Sequence, residues 1–354
     1  MKVMIACGGT GGHIIPGVSI AAELDSEVVF LVPRKGMDMV SCDCRAIPII
    51  SRPLVGGGIW RKVMFLLFVL PSVLQSLLIL IREKPNVMVG TGGYASFLPV
   101  MLARALGIPT AIQEQNVAPG LTTRTLARAV NRVFVSYKET ARWLPEKNLL
   151  VTGNPLRSEI GRVSRMDGLN HFGLNPNHPT ILILGGSQGA HSMNRAFGEF
   201  LRLLPESTKI QSIVLTGKQD LNWVRRRAEA KPLRTLIFDF LTQIEYAYAA
   251  SDLVVSRAGA NTISELLLCG KPSILVPYQH AAGHQKLNAL LLEKHGAAVI
   301  IEDQALSGEV LRDEIFGILN DRSRLQRMAR SAERMARGDA AHVVAEEIVK
   351  CSGT

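Results

Sequence analysis

Aromatic side chains are scarce in this chain, at 5% of its 354 residues, and they are not interleaved with basic residues as base-stacking surfaces require. Zinc-finger spacings are missing too, so nucleic acid is not an expected partner. Only five cysteines occur, Cys7, Cys42, Cys44, Cys269 and Cys351. An odd count without a framework spacing argues against a disulfide scaffold and for a reducing compartment, and Cys42-x-Cys44 is too short for the usual zinc knuckle. No long apolar leader opens the chain: MKVMIACGG reads as a strand running into a glycine turn, and secretion is not expected. Low-complexity tracts are absent, which argues against disorder. Nor is there an Asp-x-Asp pair of the kind that holds a divalent cation against a diphosphate. No metal or other cofactor is therefore expected, and the charge of a leaving phosphate falls to helix ends and cations such as Arg157.

What is present is bulk and positive charge. The length exceeds the usual size of one hydrophobic core and predicts two domains. A composition 47% hydrophobic and 20% charged, with 31 glycines and 17 prolines, suits an α/β protein rich in turns. The net charge of +10 draws the chain to anionic surfaces, whether phosphorylated substrates, acidic lipid headgroups or nucleic acid, and charge alone does not choose among them.

Residues 63–81 carry no charge over 19 positions and are flanked by Arg61, Lys62, Arg82 and Lys84. That is the length of a membrane span. Pro71, Ser72, Gln75 and Ser76 interrupt it, however, and a strand at 86–89 follows at once, so a span would split the first sheet. Core helices and a helical region docked partly on the bilayer are the other readings, and docking accommodates both the apolar run and its basic flanks.

Two segments share one design. Residues 3–24 and 181–204 each read strand, glycine turn, amphipathic helix, and they align with Gly8 on Gly185, Gly9 on Gly186, Thr10 on Ser187 and Gly12 on Gly189. Short apolar runs at 27–32, 86–89, 110–112, 132–135 and 149–152 alternate with helical patterns in the first half. Runs at 180–184, 211–216, 236–238, 253–256, 273–276 and 298–300 do so in the second. This alternation predicts two doubly wound parallel sheets, Rossmann-like domains over residues 1–153 and 154–339, facing across a shared cleft. The stretch 340–354 is expected to be a helix that packs back on the first domain.

The chemistry-bearing residues cluster at the strand-to-helix turns. Gly8-Gly9-Thr10-Gly11-Gly12 lets backbone N–H groups approach a phosphate at the positive end of a helix. His13 stands in that first helical turn, where the helix field favours the neutral imidazole and fits it for general base work; the alternative is a capping or packing role. In the repeat alignment it falls opposite Ala190, so the two turns have different jobs. A second loop, Gly90-Thr91-Gly92-Gly93-Tyr94-Ala95-Ser96, adds another anion-accepting turn. Gln113-Glu114-Gln115-Asn116 ends a further strand with four polar groups, as cleft residues or as ordinary turn residues. In the second half, Ser187 within Gly185-Gly186-Ser187-Gln188-Gly189 adds a hydroxyl donor. The segment from Arg257 to Glu265 reads either as a capping box, Thr262-x-x-Glu265, or as a helix start facing diphosphate with Glu265 on a ribose diol. His280 and His284 are four apart, but Ala281-Ala282-Gly283 disfavours a regular helix and no carboxylate completes a metal set.

Together, GGTGGHIIPG, GTGGYAS, EQN, GNPLR, LILGGSQGA, SRAGANTISEL and PYQHAAGHQKLNA resemble, in order and approximate spacing, the family-28 glycosyltransferases of two-domain GT-B fold. The resemblance runs from about residue 3 to past residue 300. It implies an inverting transferase that moves N-acetylglucosamine from UDP-GlcNAc to the C4 hydroxyl of an undecaprenyl-pyrophosphoryl muramyl-pentapeptide (lipid I), giving lipid II for peptidoglycan synthesis. It implies a peripheral enzyme on the anionic cytoplasmic face of the bacterial inner membrane, alongside cell-wall and division enzymes. By the same resemblance, Thr10, Gly11, Gly12, Asn116, Arg157, Ser187, Leu241, Ala260, Asn261, Thr262, Ile263, Ser264, Glu265, Gln285 and Asn288 would bind the donor, Gln285 and Asn288 through its sugar hydroxyls. Gly8, Gly9, Gly92, Gly93, Tyr94 and Ser96 would face the acceptor pyrophosphate. His13 would be the base with Glu114 in reserve, and Ile59, Trp60, Val63, Phe65, Leu66 and Phe68 would touch the membrane. A GT-B transferase with another UDP-sugar or a different lipid acceptor, a UDP-GlcNAc epimerase of the same plan and a membrane-recruited nucleotide-sugar sensor are the rivals. A nicotinamide dehydrogenase fits less well, because the first turn departs from G-x-G-x-x-G.

Overall fold

A computed structural model of the chain describes residues 1–51, 59–186, 189–231, 233–279 and 283–353, the side chains of 59–68 excepted. The chain divides into two compact units, 1–157 with 337–354, and 158–336. The break falls after Arg157, not after Gly153, so Arg157 belongs to the first unit, and the chain returns to that unit at Arg337.

In the first unit the strands are β1 (Lys2–Ala6), β2 (Glu27–Val32), β3 (Arg45–Pro48), β4 (Val87–Gly90), β5 (Thr110–Glu114), β6 (Arg132–Val135) and β7 (Leu149–Val151). Its helices are α1 (Gly11–Ala22), α2 (Ile59–Glu83), α3 (Tyr94–Ala105) and α4 (Leu121–Leu126). The second unit holds α5 (Arg165–Phe172), β8 (Thr180–Leu184), α6 (His191–Leu203), β9 (Gln211–Leu215), α7 (Leu221–Glu229), β10 (Arg234–Phe238) and α8 (Ile244–Ala250). It continues with β11 (Leu253–Ser256), α9 (Ala260–Leu268), β12 (Ser273–Leu275), α10 (His284–Lys294), β13 (Ala298–Ile300), α11 (Gly308–Leu319) and α12 (Arg322–Met335). The last helix, α13 (Ala340–Ser352), closes the first unit.

Both sheets are parallel, in the orders β3-β2-β1-β4-β5-β6-β7 and β10-β9-β8-β11-β12-β13. Period-two alternation sorts the first sheet's side chains onto two faces. Val3, Ile5, Val28 and Phe30 join one core with Val344, Ala345 and Ile348 of α13, while Met4, Ala6, Val29 and Leu31 join the other with Leu80 of α2 and Val100 of α3. Burial on both faces explains why these strands read as continuous apolar runs. Each aliphatic side chain that α13 buries contributes roughly 1.5–3 kcal/mol, which fastens the chain's end to the first unit.

The order of strands reverses at β1 in the first sheet and at β8 in the second. At such a switch point the loops leaving adjacent strands diverge and open a crevice beyond the carboxyl ends. The turns after β1 and β4, and those after β8 and β11, stand at these crevices, where folds of this kind bind their ligands.

One local feature departs from expectation. Strand β3, at the sheet edge, was not legible as an apolar run; its residues Arg45–Pro48 are recruited by pairing with β2. Cys42 and Cys44 bring their sulfur atoms together just before it, and a link across one intervening residue constrains very little chain.

Candidate functional site

In the first unit, the β1–α1 and β4–α3 turns are fastened together by backbone bonds: Gly8 N donates to Gly92 O at 3.0 Å and Thr91 N to Ala6 O at 3.0 Å. Gly92 and Gly93 adopt φ of +97° and +76°, a region costly for residues with a Cβ. A Cβ on Gly93 would lie 2.9 Å from Gly8 Cα, and one on Gly8 would lie 2.6 Å from the His13 ring. The glycines are thus required by contact between two backbones and an imidazole, in addition to anything they bind.

His13 is held in this cradle by Thr91. Its Nδ1 lies 3.1 Å from Thr91 O, and the Thr91 hydroxyl donates to His13 O at 2.7 Å. A carbonyl only accepts, so Nδ1 carries the proton and Nε2 is left as the ring's basic nitrogen. Burial pushes the His13 pKa below the ordinary value; the charge of Glu114 and the polar contacts of Thr91 and Gln115 work against that shift without cancelling it. The neutral, Nδ1-protonated tautomer is the form a general base needs.

Behind His13 runs a buried amide chain. Gln115 Nε2 donates to Thr91 O at 2.6 Å and to Gln113 Oε1, and Gln113 Nε2 donates to Asn154 Oδ1 at 3.3 Å. The Gly153-Asn154-Pro155 segment is in this way linked to the cradle, a connection no local motif announces.

Glu114, expected as a reserve base, is held at both carboxylate oxygens. One carboxylate oxygen accepts from the backbone and side chain of Asn116, both at 3.0 Å, and the other from Gly120 N at 3.0 Å. At 3% exposure it braces the loop that positions Asn116. Ser96 is buried, and its hydroxyl donates to Gly93 O at 2.9 Å, which shapes the glycine loop. Tyr94, by contrast, is exposed beside that loop. Thr10 is the N-cap of α1, followed by Gly11 and Gly12 in its first turn. Half-buried Arg157 ends the first unit's leading segment.

In the second unit, β8 leads into Gly185 and Gly186, and β11 leads into Arg257-Ala258-Gly259. Helix α6 begins at His191, with Ala190 as N-cap, so this turn is longer than the one before α1 despite the aligned glycines. Gly189, at φ +78°, packs against the Thr216 carbonyl, leaving no room for a side chain. Ser187 lies outside the described residues.

Helix α9 starts with Gly259 as N-cap and no side-chain cap. Thr262 is therefore inside the first turn, and the capping box is not formed. Instead Glu265 is buried and accepts from the Tyr248 hydroxyl at 2.8 Å. Ala260, Asn261 and Thr262 form a half-exposed first turn at the carboxyl end of β11, where the helix dipole favours an anion. Ser264 donates back to Ala260 O at 2.9 Å. Ile263 is fully buried, and its N–H bonds to Gly259 O.

Asn288 is fully buried and donates to Ala258 O at 3.1 Å, under the loop after β11. Half-buried Gln285 accepts from Tyr278 N at 2.9 Å and so ties the start of α10 to the end of β12. Leu241 is half-buried beyond β10. Arg257, which only the segment boundaries marked, is an organising cation: it donates to Asp303 at 2.7 Å, to Ser192 Oγ at 2.9 Å and to Val276 O at 3.1 Å. That tie spans β11, α6 and the residues after β13.

Among the described side chains of α2, Ser72, Ser76 and Leu80 are buried, while Leu70, Leu74, Leu78 and Ile81 are more than half exposed. The polar residues that interrupt the apolar run are those that dock: Ser72 donates to Ile50 O at 2.9 Å, and Gln75 donates to Pro48 O at 3.0 Å and accepts from Ile50 N at 2.7 Å. The side chains of Ile59, Trp60, Val63, Phe65, Leu66 and Phe68 lie outside the described residues.

Comparison with known proteins bears on both units. The N-terminal domain model of glycosyltransferase family 28 matches residues 3–135, and the C-terminal domain model of that family matches residues 180–344. A curated protein of Geobacter sulfurreducens named UDP-N-acetylglucosamine--N-acetylmuramyl-(pentapeptide) pyrophosphoryl-undecaprenol N-acetylglucosamine transferase is 37% identical, over 99% of this chain and 98% of its own. A protein of the same name from Anaeromyxobacter sp. (strain K) is 40% identical, over 98% and 92%. Among solved structures, MurG of Acinetobacter baumannii matches with a TM-score of 0.78 at 27% identity, covering 99% of both chains. The UDP-GlcNAc 2-epimerase of Neisseria meningitidis matches with a TM-score of 0.70 at 14% identity, a likeness of fold alone.

Proposed function

The chain belongs to glycosyltransferase family 28, and from that premise we propose that it transfers N-acetylglucosamine from UDP-GlcNAc to an undecaprenyl-pyrophosphoryl N-acetylmuramyl-pentapeptide. The observation that carries this reading is identity of 37% and 40%, along nearly the whole chain, to transferases named for that reaction. The fold agrees with a GT-B enzyme, and the epimerase alternative rests on fold likeness alone.

The muramyl C4 hydroxyl attacks C1 of the α-linked donor. The new C1–O bond forms as the bond to UDP breaks, with one inversion and a β-1,4 product. His13 Nε2 takes the hydroxyl proton, a role for which Thr91 supplies the tautomer and burial supplies the neutral state. Gly8, Gly9, Gly92 and Gly93 present backbone to the acceptor pyrophosphate, with Tyr94 beside them. The first turn of α9 receives the diphosphate of the donor, and Glu265 its ribose, at the switch point of the second sheet. Charge on the departing UDP is met by helix ends and Arg157, and the reaction is metal-independent.

The acceptor's lipid gives the outward leucines of α2 a purpose. Leu70, Leu74, Leu78 and Ile81 form an apolar stripe, and exposed Arg82 and Lys84 follow it, the pattern of a helix lying in the interface of an anionic bilayer. No helix among the described residues is long and apolar enough to cross a membrane. On this reading the enzyme is a peripheral protein on the cytoplasmic face of the inner membrane, where its proposed lipid acceptor lies.

The test is a single assay with purified protein, labelled UDP-GlcNAc and a lipid-linked muramyl pyrophosphate acceptor, with and without chelator. Label is expected in the lipid under both conditions. An unlabelled lipid would overturn the reaction, and loss of transfer on chelation would overturn only its metal independence.

A further inference from the structure

A cavity of about 550 Å³ in the first unit is lined by Pro33, Arg34, Lys35, Pro48, Ile49, Ile50, Ser51, Gln75 and Tyr94. It lies beyond the carboxyl ends of β2 and β3 and borders the glycine cradle. Tyr94 follows Gly93 directly, and a Cβ on Gly9 would lie 2.9 Å from the Lys35 side chain. Its rear wall is rigid, because Gln75 and Ser72 pin the 48–50 backbone to α2. Its basic residues are uncommitted: Arg34 and Lys35 are exposed, and neither forms an ion pair among the described residues.

Two adjacent unpaired cations on the edge of a half-apolar cavity repel each other until an anion arrives. A diphosphate is already provided for next door by the glycine turns. The cavity instead combines proline and isoleucine walls, a fixed amide and two cations, which is the lining that takes a short peptide ending in a carboxylate, and its volume suits a ligand of several residues. From this we propose that the cavity is a peptide subsite in which Arg34 and Lys35 bind a carboxylate of the peptide borne by the acceptor sugar. This rests on the transferase reading above and adds a specificity element to it. Arg34 is a fork donor suited to bidentate carboxylate binding, and Lys35 holds the anion from the cradle side.

The experiment compares the unaltered protein, the double variant Arg34→Gln with Lys35→Gln, and the conservative variant Arg34→Lys on two acceptors, one bearing the pentapeptide and one with the muramyl carboxyl amidated and no peptide. Loss of two charge-assisted bonds is expected to raise KM for the pentapeptide acceptor roughly tenfold or more in the double variant. Arg34→Lys recovers part of that loss, the KM for UDP-GlcNAc does not move, and the penalty is absent on the peptide-free acceptor. An equal penalty on both acceptors would assign the cations to the pyrophosphate and overturn the peptide subsite, as would no penalty on either. Failure of the unaltered protein to use either acceptor is a separate result, overturning the transferase reading and this one with it.

Discussion

His13 and Thr91, 78 residues apart in sequence, hold each other twice: the imidazole Nδ1 meets the Thr91 carbonyl at 3.1 Å, and the Thr91 hydroxyl donates to the His13 carbonyl at 2.7 Å. The pair staples the two glycine turns together and fixes which ring nitrogen is basic. Most expectations for the first unit follow from it.

Replacing the imidazole removes the base while leaving the second unit untouched. His13→Ala is expected to lower kcat by about 10²–10⁴, the range for general base catalysis, with little change in the KM for UDP-GlcNAc. Glu114→Gln should behave differently. An amide cannot accept from both Asn116 and Gly120 as the carboxylate does, so the variant loses roughly 1–3 kcal/mol of stability, with a smaller drop in kcat than His13→Ala. A larger kcat loss for Glu114→Gln would reverse the assignment of the base.

The pH dependence follows from the depressed pKa of His13. The acid limb of kcat/KM is expected below pH 6.5, since the cradle keeps the ring neutral there. The sign for stability is set by the unfolded chain, which binds the proton more readily than the native one. As pH falls through about 6.5 the unfolded state is favoured and native stability declines, levelling off only below the folded pKa. Denaturant melts of the protein and of His13→Gln over pH 5 to 8 measure this, and identical slopes for the two would refute it.

Gly93 tests the cradle's backbone. Gly93→Ala combines a φ of +76° with a Cβ placed 2.9 Å from Gly8 Cα, so a loss of more than about 1 kcal/mol is expected by chemical denaturation. Gly107→Ala is the control, having a φ of +77° but nothing within 4 Å of its Cβ. Equal losses would show that the conformation alone matters and that the contact between turns does not.

Asn288 and Glu265 separate structure from binding in the second unit. Asn288→Ala should cost roughly 1–3 kcal/mol of stability by leaving the Ala258 carbonyl unpaired, with a modest effect on donor KM. Glu265→Gln should raise donor KM severalfold while the fold persists. Calorimetry of UDP binding alongside thermal melts distinguishes them, and weakened UDP binding by Asn288→Ala in a fully stable protein would contradict the brace.

The exposed stripe of α2 predicts a surface effect. Leu74→Glu with Leu78→Glu adds negative charge at two outward positions. Sedimentation with anionic vesicles should then fall several-fold, while secondary structure and UDP binding are retained. Unchanged sedimentation would place the membrane contact elsewhere.

Much of the fold was legible because parallel strands buried on both faces must be apolar and short. The runs at 27–32, 132–135, 180–184, 253–256 and 298–300 coincide with β2, β6, β8, β11 and β13. Edge strand β3 escaped because one flank and little burial leave no apolar signature in Arg45–Pro48. The site divides in the same way. Glycines at strand-to-helix turns are readable, since only they tolerate the required φ and close approach. The burial and partners of Ser96, Glu114, Ile263 and Asn288 are not, because a polar or apolar residue near a turn has the same local signature whatever it packs against.

The sequence by itself determined two parallel sheets, their glycine turns and a histidine at the first of them, because backbone period and φ tolerance are local properties. Tertiary structure alone decided which nitrogen of His13 is basic, that Ser72 and Ser76 of α2 point in while Leu70, Leu74 and Leu78 point out, and that Arg34 and Lys35 border a cavity beside the cradle. Each of these depends on a partner many residues distant, and such pairings are fixed only when the strands and helices pack.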